Sequence, residues 1–301
     1  MRMSGRGGDR IGHFVNADAE RAFRKAYDAL CEQRWPTPPE PLMVETRFGP
    51  THVFHWAGTG TPIVLLHGFG ATSIMWHKAI KGLAGRRLYA VDTIGEPGRS
   101  VQRAPIRDPR DLATWLDEVL TGLELDRVHL VGASYGGWLA LNQASRSPGR
   151  LATISLIEPA GFQRVGARFF LWAIACGLAG IAPAAIRRRA APWLRMSTVD
   201  DLQMRRLAML SYRKFRPRLP RETSPSDAEL RSITTPTLVL LGEKSELHDS
   251  RRVLARTRAF MPVLQGEIIP RAGHSLPVDQ ADVVSQRILQ HIAVDAAEDV
   301  H

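Results

Sequence analysis

The sequence predicts an α/β protein with a doubly wound, mostly parallel sheet and a helical lid inserted after the sixth strand. Short apolar runs alternate with helical patterns over most of the chain, and the alternation stops between residues 161 and 232. Strands that are apolar on both faces indicate a buried parallel sheet. At 301 residues and 44% hydrophobic, the chain is long enough for one large core with such an insertion.

The chain is expected to begin with a helical extension over residues 1–40. Apolar residues recur at helical spacing between residues 18 and 34, and the proline-rich segment that follows cannot continue a helix. Two extended runs, residues 42–47 and 51–56, flank a Phe-Gly-Pro sequence. They predict an antiparallel hairpin directly after the extension.

The expected parallel strands follow the hairpin. Their apolar runs cover residues 63–66, 88–91, 128–131, 152–157, 237–241 and 267–269. The runs assign residues 41–160 and 233–301 to the α/β core and residues 161–232 to the lid. Because ligands of such folds bind beyond the carboxyl ends of the strands, the chemistry is expected directly after strands.

The segment GASYGG, residues 132–137, lies between a buried strand and a helical pattern. A sharp strand-to-helix turn would hold its serine in a strained conformation, so glycines must flank it where a Cβ would clash. The hydroxyl is then exposed at the beginning of a helix, whose amides and dipole favour developing negative charge. Ser134 is therefore the predicted nucleophile, and the alternative is a glycine-rich turn without a chemical role.

A second loop, HGFG at residues 67–70, follows the strand that ends at Leu66. The tetrahedral intermediate of acyl transfer needs two preorganised donors, and the backbone amides of Phe69 and Tyr135 are the predicted oxyanion hole. Neither side chain is needed for that role. His67 is expected to order the turn, because it stands in a loop before glycines.

A serine hydroxyl is a weak nucleophile, so a general base is required. His274 is the candidate, because it follows the last predicted strand and comes after the serine, near the end of the chain. His129 within a strand and His291 within a terminal helix are expected to be structural. His248 lies in the loop after another late strand.

The HGFG loop, the GASYGG elbow and the AGH loop at residues 272–274 resemble the α/β-hydrolase superfamily over about residues 40–295. Within it, AVDTIGEPGRS at residues 90–100 and the Trp-Pro ending of the first helix resemble bacterial carboxylesterase-like members. The resemblance implies a serine hydrolase. The superfamily also includes carbon–carbon bond hydrolases, acyltransferases and receptors, so the fold alone fixes no reaction. Dehalogenases and epoxide hydrolases carry Asp at the elbow, which Ser134 argues against.

The triad acid departs from the pattern of the superfamily. Much of the superfamily has the acid three residues after the glycine that ends the seventh strand, where this chain has Ser245. Glu158 occupies the alternative acid position, after the sixth strand, and a buried carboxylate is costly unless a partner receives it. Glu158 is therefore preferred to Glu246, although it could instead bind loop amides or a lid arginine. Asp249 is expected to cap a helix, and Glu243 to face away.

Residues 169–186 carry no charge and are followed by Arg187, Arg188 and Arg189. This length reaches the threshold for a membrane span, but the run lies between two sheet strands and is interrupted by glycine and proline. Lid helices over an apolar pocket are therefore preferred to docking on a membrane surface, and docking is preferred to a span. Three methionines are candidates to line the same pocket: Met196, Met204 and Met209.

The net charge of +10 comes mostly from one segment. Between Arg187 and Arg221 eleven Lys or Arg stand against two Asp, an excess of nine. This concentration argues against nucleic acid as a partner. It favours an anionic group on the substrate, a membrane surface or an acidic carrier as the partner of the lid, with a solvated arginine face as an equal alternative.

Two cysteines, Cys31 and Cys176, and an N-terminal segment without the features of a signal peptide predict a cytoplasmic protein without a disulfide. No metal or organic cofactor is expected. The leading hypothesis is a carboxylic ester hydrolase that cleaves a small hydrophobic substrate through an acyl-enzyme. The alternative among enzymes is acyl transfer or carbon–carbon bond cleavage on the same fold. The alternative outside enzymes is a non-catalytic ligand-binding receptor. The oligomeric state is left open.

Overall fold

The computed structural model of the chain describes residues 11–298. Predictions for residues 1–10 and 299–301 lie outside the described residues. In chain order the strands are β1 (His13–Phe14), β2 (Glu40–Thr46), β3 (Gly49–Trp56), β4 (Thr59–Leu66), β5 (Arg86–Val91), β6 (Val128–Ala133), β7 (Leu151–Ile157), β8 (Phe215–Arg216), β9 (Thr237–Gly242) and β10 (Leu264–Ile269). The helices are α1 (Ala17–Arg34), α2 (His77–Gly82), α3 (Pro109–Gly122), α4 (Tyr135–Arg146), α5 (Ala167–Ile181), α6 (Ala184–Leu194), α7 (Leu202–Lys214), α8 (Asp227–Ser232), α9 (Ser250–Phe260), α10 (Leu276–Asp279) and α11 (Ala281–Glu298).

One eight-stranded sheet organises the fold, in the order β10-β9-β7-β6-β4-β5-β3-β2. The six strands from β10 to β5 run parallel, whereas β3 and β2 are antiparallel at one edge. The predicted hairpin is β2 and β3, and every predicted parallel run lies within a strand. The doubly wound, mostly parallel sheet is therefore confirmed.

The sheet separates two hydrophobic cores because side chains alternate along each strand. In β4, Val64 and Leu66 pack into one core, which also includes Trp115 of α3. Ile63 and Leu65 pack into the other core, where α1, α2 and α11 contribute their apolar faces. Burial of both faces explains why the central strands are continuous apolar runs.

Helix α1 belongs to the second of these cores. The Asn16 side chain caps its N-terminus by accepting from the amide of Ala19. Phe23 and Tyr27 are fully buried against the sheet, and the Tyr27 hydroxyl donates to Asp92 Oδ1 at 2.8 Å. The N-terminal helix is thus fixed to the strands by both packing and a buried hydrogen bond.

The segment between β7 and β9 is mostly helical. Pro183 separates α5 from α6, so the uncharged run at residues 169–186 forms parts of two helices rather than one. In the described part of the chain, no helix is long and apolar enough to cross a membrane.

The expectation of no strand between residues 161 and 232 is wrong, because β8 pairs antiparallel with β1. The pairing brings Phe215 against Phe14, with ring centroids 4.9 Å apart. A strand of two residues is too short to show a period-two pattern. Its pairing is accompanied by aromatic contacts with a segment about 200 residues earlier in the chain, which no local signal reveals.

Candidate active site

Ser134 lies in the turn between β6 and α4 with a positive φ of 52° and ψ of −114°. A side chain at either flanking glycine would collide with backbone. A Cβ on Gly132 would lie 2.0 Å from the Gly136 carbonyl oxygen, and one on Gly136 would lie 2.3 Å from the Leu66 carbonyl oxygen. Gly132 and Gly136 are therefore required by close backbone packing, and the strained turn presents the serine at the beginning of α4.

The HGFG loop lies directly beside this serine. A Cβ placed on Gly68 would be 3.8 Å from Ser134 Oγ. Within residues 11–298, neither the Phe69 amide nor the Tyr135 amide donates to a protein acceptor. Both residues line the same cavity as Ser134. Their free amides are available to an oxyanion formed on a substrate bound there.

His67 is buried within this loop and makes two local hydrogen bonds. Its Nε2 accepts from the Thr93 amide at 3.0 Å, so its Nδ1 carries the proton that is donated to the Gly68 carbonyl at 2.8 Å. Burial lowers its pKa, although Asp92 and the Gly68 carbonyl oppose the shift. The neutral ring therefore orders the turn and has no free nitrogen for use as a base.

The structure brings His274 and Glu158 together from loops that are far apart in the chain. His274 Nδ1 lies 3.2 Å from Glu158 Oε2. Glu158 also accepts from the Ser245 hydroxyl at 2.6 Å and from the Gly242 amide. Its backbone has a positive φ of 48°, which is strained for a residue with a Cβ. In this conformation the Glu158 carboxylate makes three polar contacts, to His274, Ser245 and Gly242.

Burial alone would raise the pKa of Glu158, but His248 and His274 outweigh burial and lower it to about 2. The carboxylate is therefore ionised at neutral pH and can only accept hydrogen bonds. The Nδ1 atom of His274 must then be the protonated nitrogen in this contact. In a neutral ring this tautomer leaves Nε2 of His274 with a lone pair, which is the state a general base needs.

The second histidine near this carboxylate is His248. It is buried, and its Nε2 lies 3.7 Å from Glu158 Oε1, beyond hydrogen-bonding distance. The two histidines that were expected to be structural, His129 and His291, make contacts away from this site. His129 Nδ1 lies 3.0 Å from the Thr153 hydroxyl, and His291 lies beside Gln265 and the Pro236 carbonyl.

Glu246, the other candidate acid, contacts the backbone of His274. Its Oε2 accepts from the His274 amide at 2.9 Å, while Oε1 accepts from Arg195 Nε at 3.0 Å. A Cβ on Gly273 would lie 2.8 Å from Glu246 Oε2, so a glycine is needed for this approach. Glu246 thus holds the loop that carries His274, and Glu158 contacts the ring.

The remaining nearby acids have local structural partners. Asp249 caps α9 by accepting from the amides of Arg251 and Arg252, each at 3.1 Å. Glu243 is exposed and accepts from the Arg271 amide at 2.9 Å. Neither carboxylate is among the groups that contact the His274 ring.

Glu96 was not identified from the sequence. This buried carboxyl accepts from the Gly70 amide at 2.8 Å, and its Oε1 has no hydrogen-bond partner among the described residues. Burial raises its pKa to about 8, against the opposing effect of the Gly70 amide. Glu96 therefore supports the HGFG loop as a neutral acid over most of the neutral range.

Asp92 comes four residues earlier and supports the loops around the site. It accepts from the Ser73 hydroxyl at 2.7 Å and from the Arg99 amide at 3.0 Å. Burial alone would raise its pKa, but His52 and the other donors around it lower it instead. The only sequence signal for Asp92 and Glu96 is their position in AVDTIGEPGRS, directly after β5.

Ser134, His274, Phe69 and Tyr135 line one cavity of about 1980 Å³. This volume exceeds the range of about 300–1,000 Å³ that is usual for small-molecule sites. The aromatic rings of Phe169 and Trp172, from α5, lie edge-on to His274 at 5.5 and 6.1 Å between centroids. The cavity is also lined by all three methionines singled out from the sequence, Met196, Met204 and Met209.

Five arginines line the same cavity: Arg107, Arg164, Arg205, Arg218 and Arg221. In the part of the chain that the structure describes, no three His, Cys, Asp or Glu side chains are grouped as metal ligands. The lining therefore combines an apolar wall with cationic groups.

Residues 63–287 match the model of the alpha/beta hydrolase family. Carboxylesterase YbfK of Bacillus subtilis is 30% identical over 93% of this chain and 96% of its own length. Two solved structures from the same organism are similar. Naproxen esterase (carboxylesterase NP) has a TM-score of 0.79, is 28% identical, and matches over 92% of this chain and 99% of its own. Carboxylesterase CesB (YbfK) has a TM-score of 0.78 at 29% identity, with the same coverage of 92% and 99%.

The family match covers the sheet from the second half of β4 to β10, together with the elbow and the loop of His274. The chain belongs to the alpha/beta hydrolase family, as a carboxylesterase-like member.

Proposed function

We propose that this chain hydrolyses carboxylic esters with an apolar acyl group through an acyl-enzyme on Ser134. One observation carries the proposal: His274, with Nδ1 3.2 Å from Glu158 Oε2, lines the same cavity as the strained Ser134. The similarity to carboxylesterases supports ester hydrolysis as the reaction.

In the first half of the reaction, Ser134 Oγ attacks the ester carbonyl and its proton passes to His274 Nε2. The amides of Phe69 and Tyr135 stabilise the negative charge that develops on the carbonyl oxygen. Collapse of the tetrahedral intermediate breaks the bond to the alcohol oxygen. His274 protonates this leaving alcohol, and the acyl group stays on Ser134.

In the second half, His274 Nε2 takes a proton from water while the water oxygen attacks the acyl carbonyl. The bond to Ser134 Oγ then breaks, His274 returns the proton to the serine, and the carboxylic acid leaves. Glu158 keeps the ring in the required tautomer and stabilises the imidazolium in both halves. Glu246 fixes the backbone of the His274 loop.

The substrate in this proposal is a small hydrophobic ester. The apolar part of the cavity lining, which includes Phe169, Trp172 and Met209, favours an apolar acyl group, and the arginines favour an anionic substituent elsewhere on the molecule. In the same proposal residues 161–232 act as a lid on the core formed by residues 41–160 and 233–301. The basic part of the lid contacts a membrane surface or an acidic carrier.

The cytoplasmic location stays a prediction. Cys31 and Cys176 are both free thiols. Burial raises the pKa of Cys31 far above its ordinary value and that of Cys176 to about 12, so neither is a reactive thiolate at neutral pH.

A series of p-nitrophenyl esters from acetate to laurate tests the proposal. We expect hydrolysis throughout, with kcat/KM rising from acetate towards longer chains because the cavity buries more apolar surface. Added alcohol distinguishes hydrolysis from acyl transfer, since a transferase would form the new ester in preference to the free acid. No turnover of any ester by folded protein would overturn the proposal and favour a ligand-binding role.

A further inference from the structure

Helix α5 has three different sides. Trp172, Cys176 and Ala179 pack towards α6, in a small apolar cluster with Ala191 and Leu194. A second side, which overlaps the first at Trp172 and Cys176, lines the cavity. The third side is apolar and exposed, and consists of Phe170, Leu171, Ile174, Leu178 and Ile181.

Helix α6 continues this exposed surface. Ala191 and Leu194 are buried, and Arg187 is held by Asp200 at 3.7 Å. The opposite side carries Ile186, Arg189 and Trp193, which are three and four residues apart and so share a face. We call the exposed apolar residues of α5 together with Ile186 and Trp193 the α5–α6 surface. Each of its seven side chains is between 54% and 75% exposed.

The α5–α6 surface is continuous with the cavity that contains Ser134. Phe170 and Ile174 are more than half exposed and also line the cavity. Ala173 and Gly177, on the adjacent side of α5, line it as well. A molecule that leaves an apolar phase at this surface therefore meets the cavity mouth without crossing a polar rim on α5.

The charged residues of the segment that carries this surface all have one sign. Residues 159–199 contain six arginines and no Asp or Glu. Arg168, Arg187 and Arg195 contact protein oxygens, whereas Arg164, Arg188 and Arg189 have no ion pair among the described residues. Two copies of the chain facing each other through this surface would bring like charges together, which disfavours self-association.

We infer that the α5–α6 surface docks on an anionic lipid bilayer, with its apolar side chains in the acyl region and Arg188 and Arg189 at the headgroups. Exposed apolar residues beside unpaired arginines are the combination that lies in a membrane interface. The docked protein takes apolar esters directly from the bilayer into the cavity. Only the transfer of esters from the bilayer into the cavity rests on the proposed function.

Cosedimentation with vesicles tests the inference, and the Ser134→Ala variant is measured beside the wild type so that binding is independent of catalysis. The vesicles are pure phosphatidylcholine, or seven parts phosphatidylcholine to three parts phosphatidylglycerol. We expect binding to the anionic vesicles and at least tenfold weaker binding to the neutral ones. Arg188→Gln with Arg189→Gln should weaken anionic binding about fivefold for each arginine.

The apolar contribution is tested with Leu171→Asp and Leu178→Asp, two exposed positions that do not line the cavity. This double variant should lose at least tenfold in vesicle binding and keep the wild-type rate on p-nitrophenyl acetate. The matched control is Arg110→Gln with Arg251→Gln, which removes two exposed arginines outside the insertion and should retain most of the binding.

Several results would overturn the inference. One is absence of binding to anionic vesicles by protein that hydrolyses the soluble ester. Another is binding that the control double variant weakens as much as Arg188→Gln with Arg189→Gln. A third is binding to polyglutamate that is as tight as binding to anionic vesicles and is unaffected by Leu171→Asp with Leu178→Asp. That result would favour an acidic carrier. A dimer in sedimentation velocity that the leucine variants dissociate would favour a second copy.

Discussion

Helices α4 and α5 border the same cavity and are built in opposite ways. Of the twelve residues of α4, ten are buried, and its first residue follows the strained serine. None of the fifteen residues of α5 is fully buried. α4 is fixed by packing against the sheet on β6 and β7, whereas α5 is held mainly by a small apolar cluster with α6.

The difference separates two roles. A catalytic group needs its position fixed to within a fraction of an ångström, which dense packing and buried hydrogen bonds provide. A wall that accepts variable apolar groups needs surface and adaptability instead. We therefore expect changes at the elbow and its supporting carboxylates to lower kcat, and changes on α5 to alter substrate preference and surface binding at nearly constant stability.

The largest effect is expected for Ser134→Ala. Removing the hydroxyl of the proposed nucleophile should lower kcat on p-nitrophenyl butyrate roughly 10⁴- to 10⁶-fold. The melting temperature should stay within a few degrees of wild type, because one hydroxyl is lost from a residue at the cavity wall. A rate within about tenfold of wild type, a barrier change of only about 1.4 kcal/mol, would contradict the assignment.

Glu158→Gln should lower kcat roughly 10³- to 10⁴-fold with little change in KM. The amide cannot stabilise the imidazolium and does not enforce the tautomer that leaves Nε2 free. Steady-state kinetics on the same ester measures the effect.

Glu246→Gln is the matched control for Glu158→Gln. It makes the same carboxylate-to-amide change in a residue that also contacts His274, but at its backbone amide. It removes a charge that binds Arg195 and the His274 amide, so its main effect should be on stability, with kcat reduced less than about tenfold. Were only Glu246→Gln to damage kcat, Glu246 would be the acid.

Glu96→Gln tests the support of the HGFG loop. Because the folded-state pKa of about 8 lies above the ordinary value of 4.5, the folded chain holds a proton that the unfolded chain releases, and stability falls as pH rises between these values. The amide keeps an acceptor for Gly70 without the charge. It should raise the free energy of unfolding at pH 8 by roughly 4 kcal/mol, with little effect at pH 4.

Denaturant titrations at the two pH values measure this difference. An equal effect of Glu96→Gln at pH 4 and pH 8 would mean that the Glu96 carboxyl does not titrate between them. The kcat of the wild type should also decline as Glu96 ionises, since a buried negative charge supporting the loop opposes an oxyanion bound to the Phe69 amide.

The smallest effect on hydrolysis of a short ester is expected on α5, for Gly177→Leu. A Cβ at Gly177 meets open space, so the helix accepts the side chain and the cavity loses volume. We expect kcat/KM to fall about tenfold for p-nitrophenyl laurate and to change little for the acetate. Gly149→Leu, also in open space and away from the cavity, should leave the preference unchanged.

The elbow could be predicted from the sequence because its geometry depends on neighbouring residues. Gly132 and Gly136 are needed within one turn, and the strand and helix on either side have local patterns. The central strands were predictable for the same reason, since burial on both faces leaves them apolar. Such short-range requirements are visible in a single chain.

From the sequence alone, the candidates for the triad acid could only be reduced to Glu158, which was preferred, and Glu246. Glu158 and His274 are 116 residues apart, and the backbone strain at Glu158 has no local signature. Glu96 was missed because its burial depends on the distant HGFG loop, and β8 was missed because it depends on Phe14. These features arise from tertiary packing, which spacing along the chain does not encode.

Covalent labelling shows directly whether Ser134 is the nucleophile. Wild-type protein is treated with a fluorophosphonate, which phosphonylates an activated serine, and the adduct is located by peptide mass spectrometry. We expect a single adduct on Ser134, absent in Ser134→Ala and formed much more slowly in Glu158→Gln. An adduct on another serine, or folded wild-type protein that remains unlabelled, would contradict the assignment of Ser134 as the nucleophile.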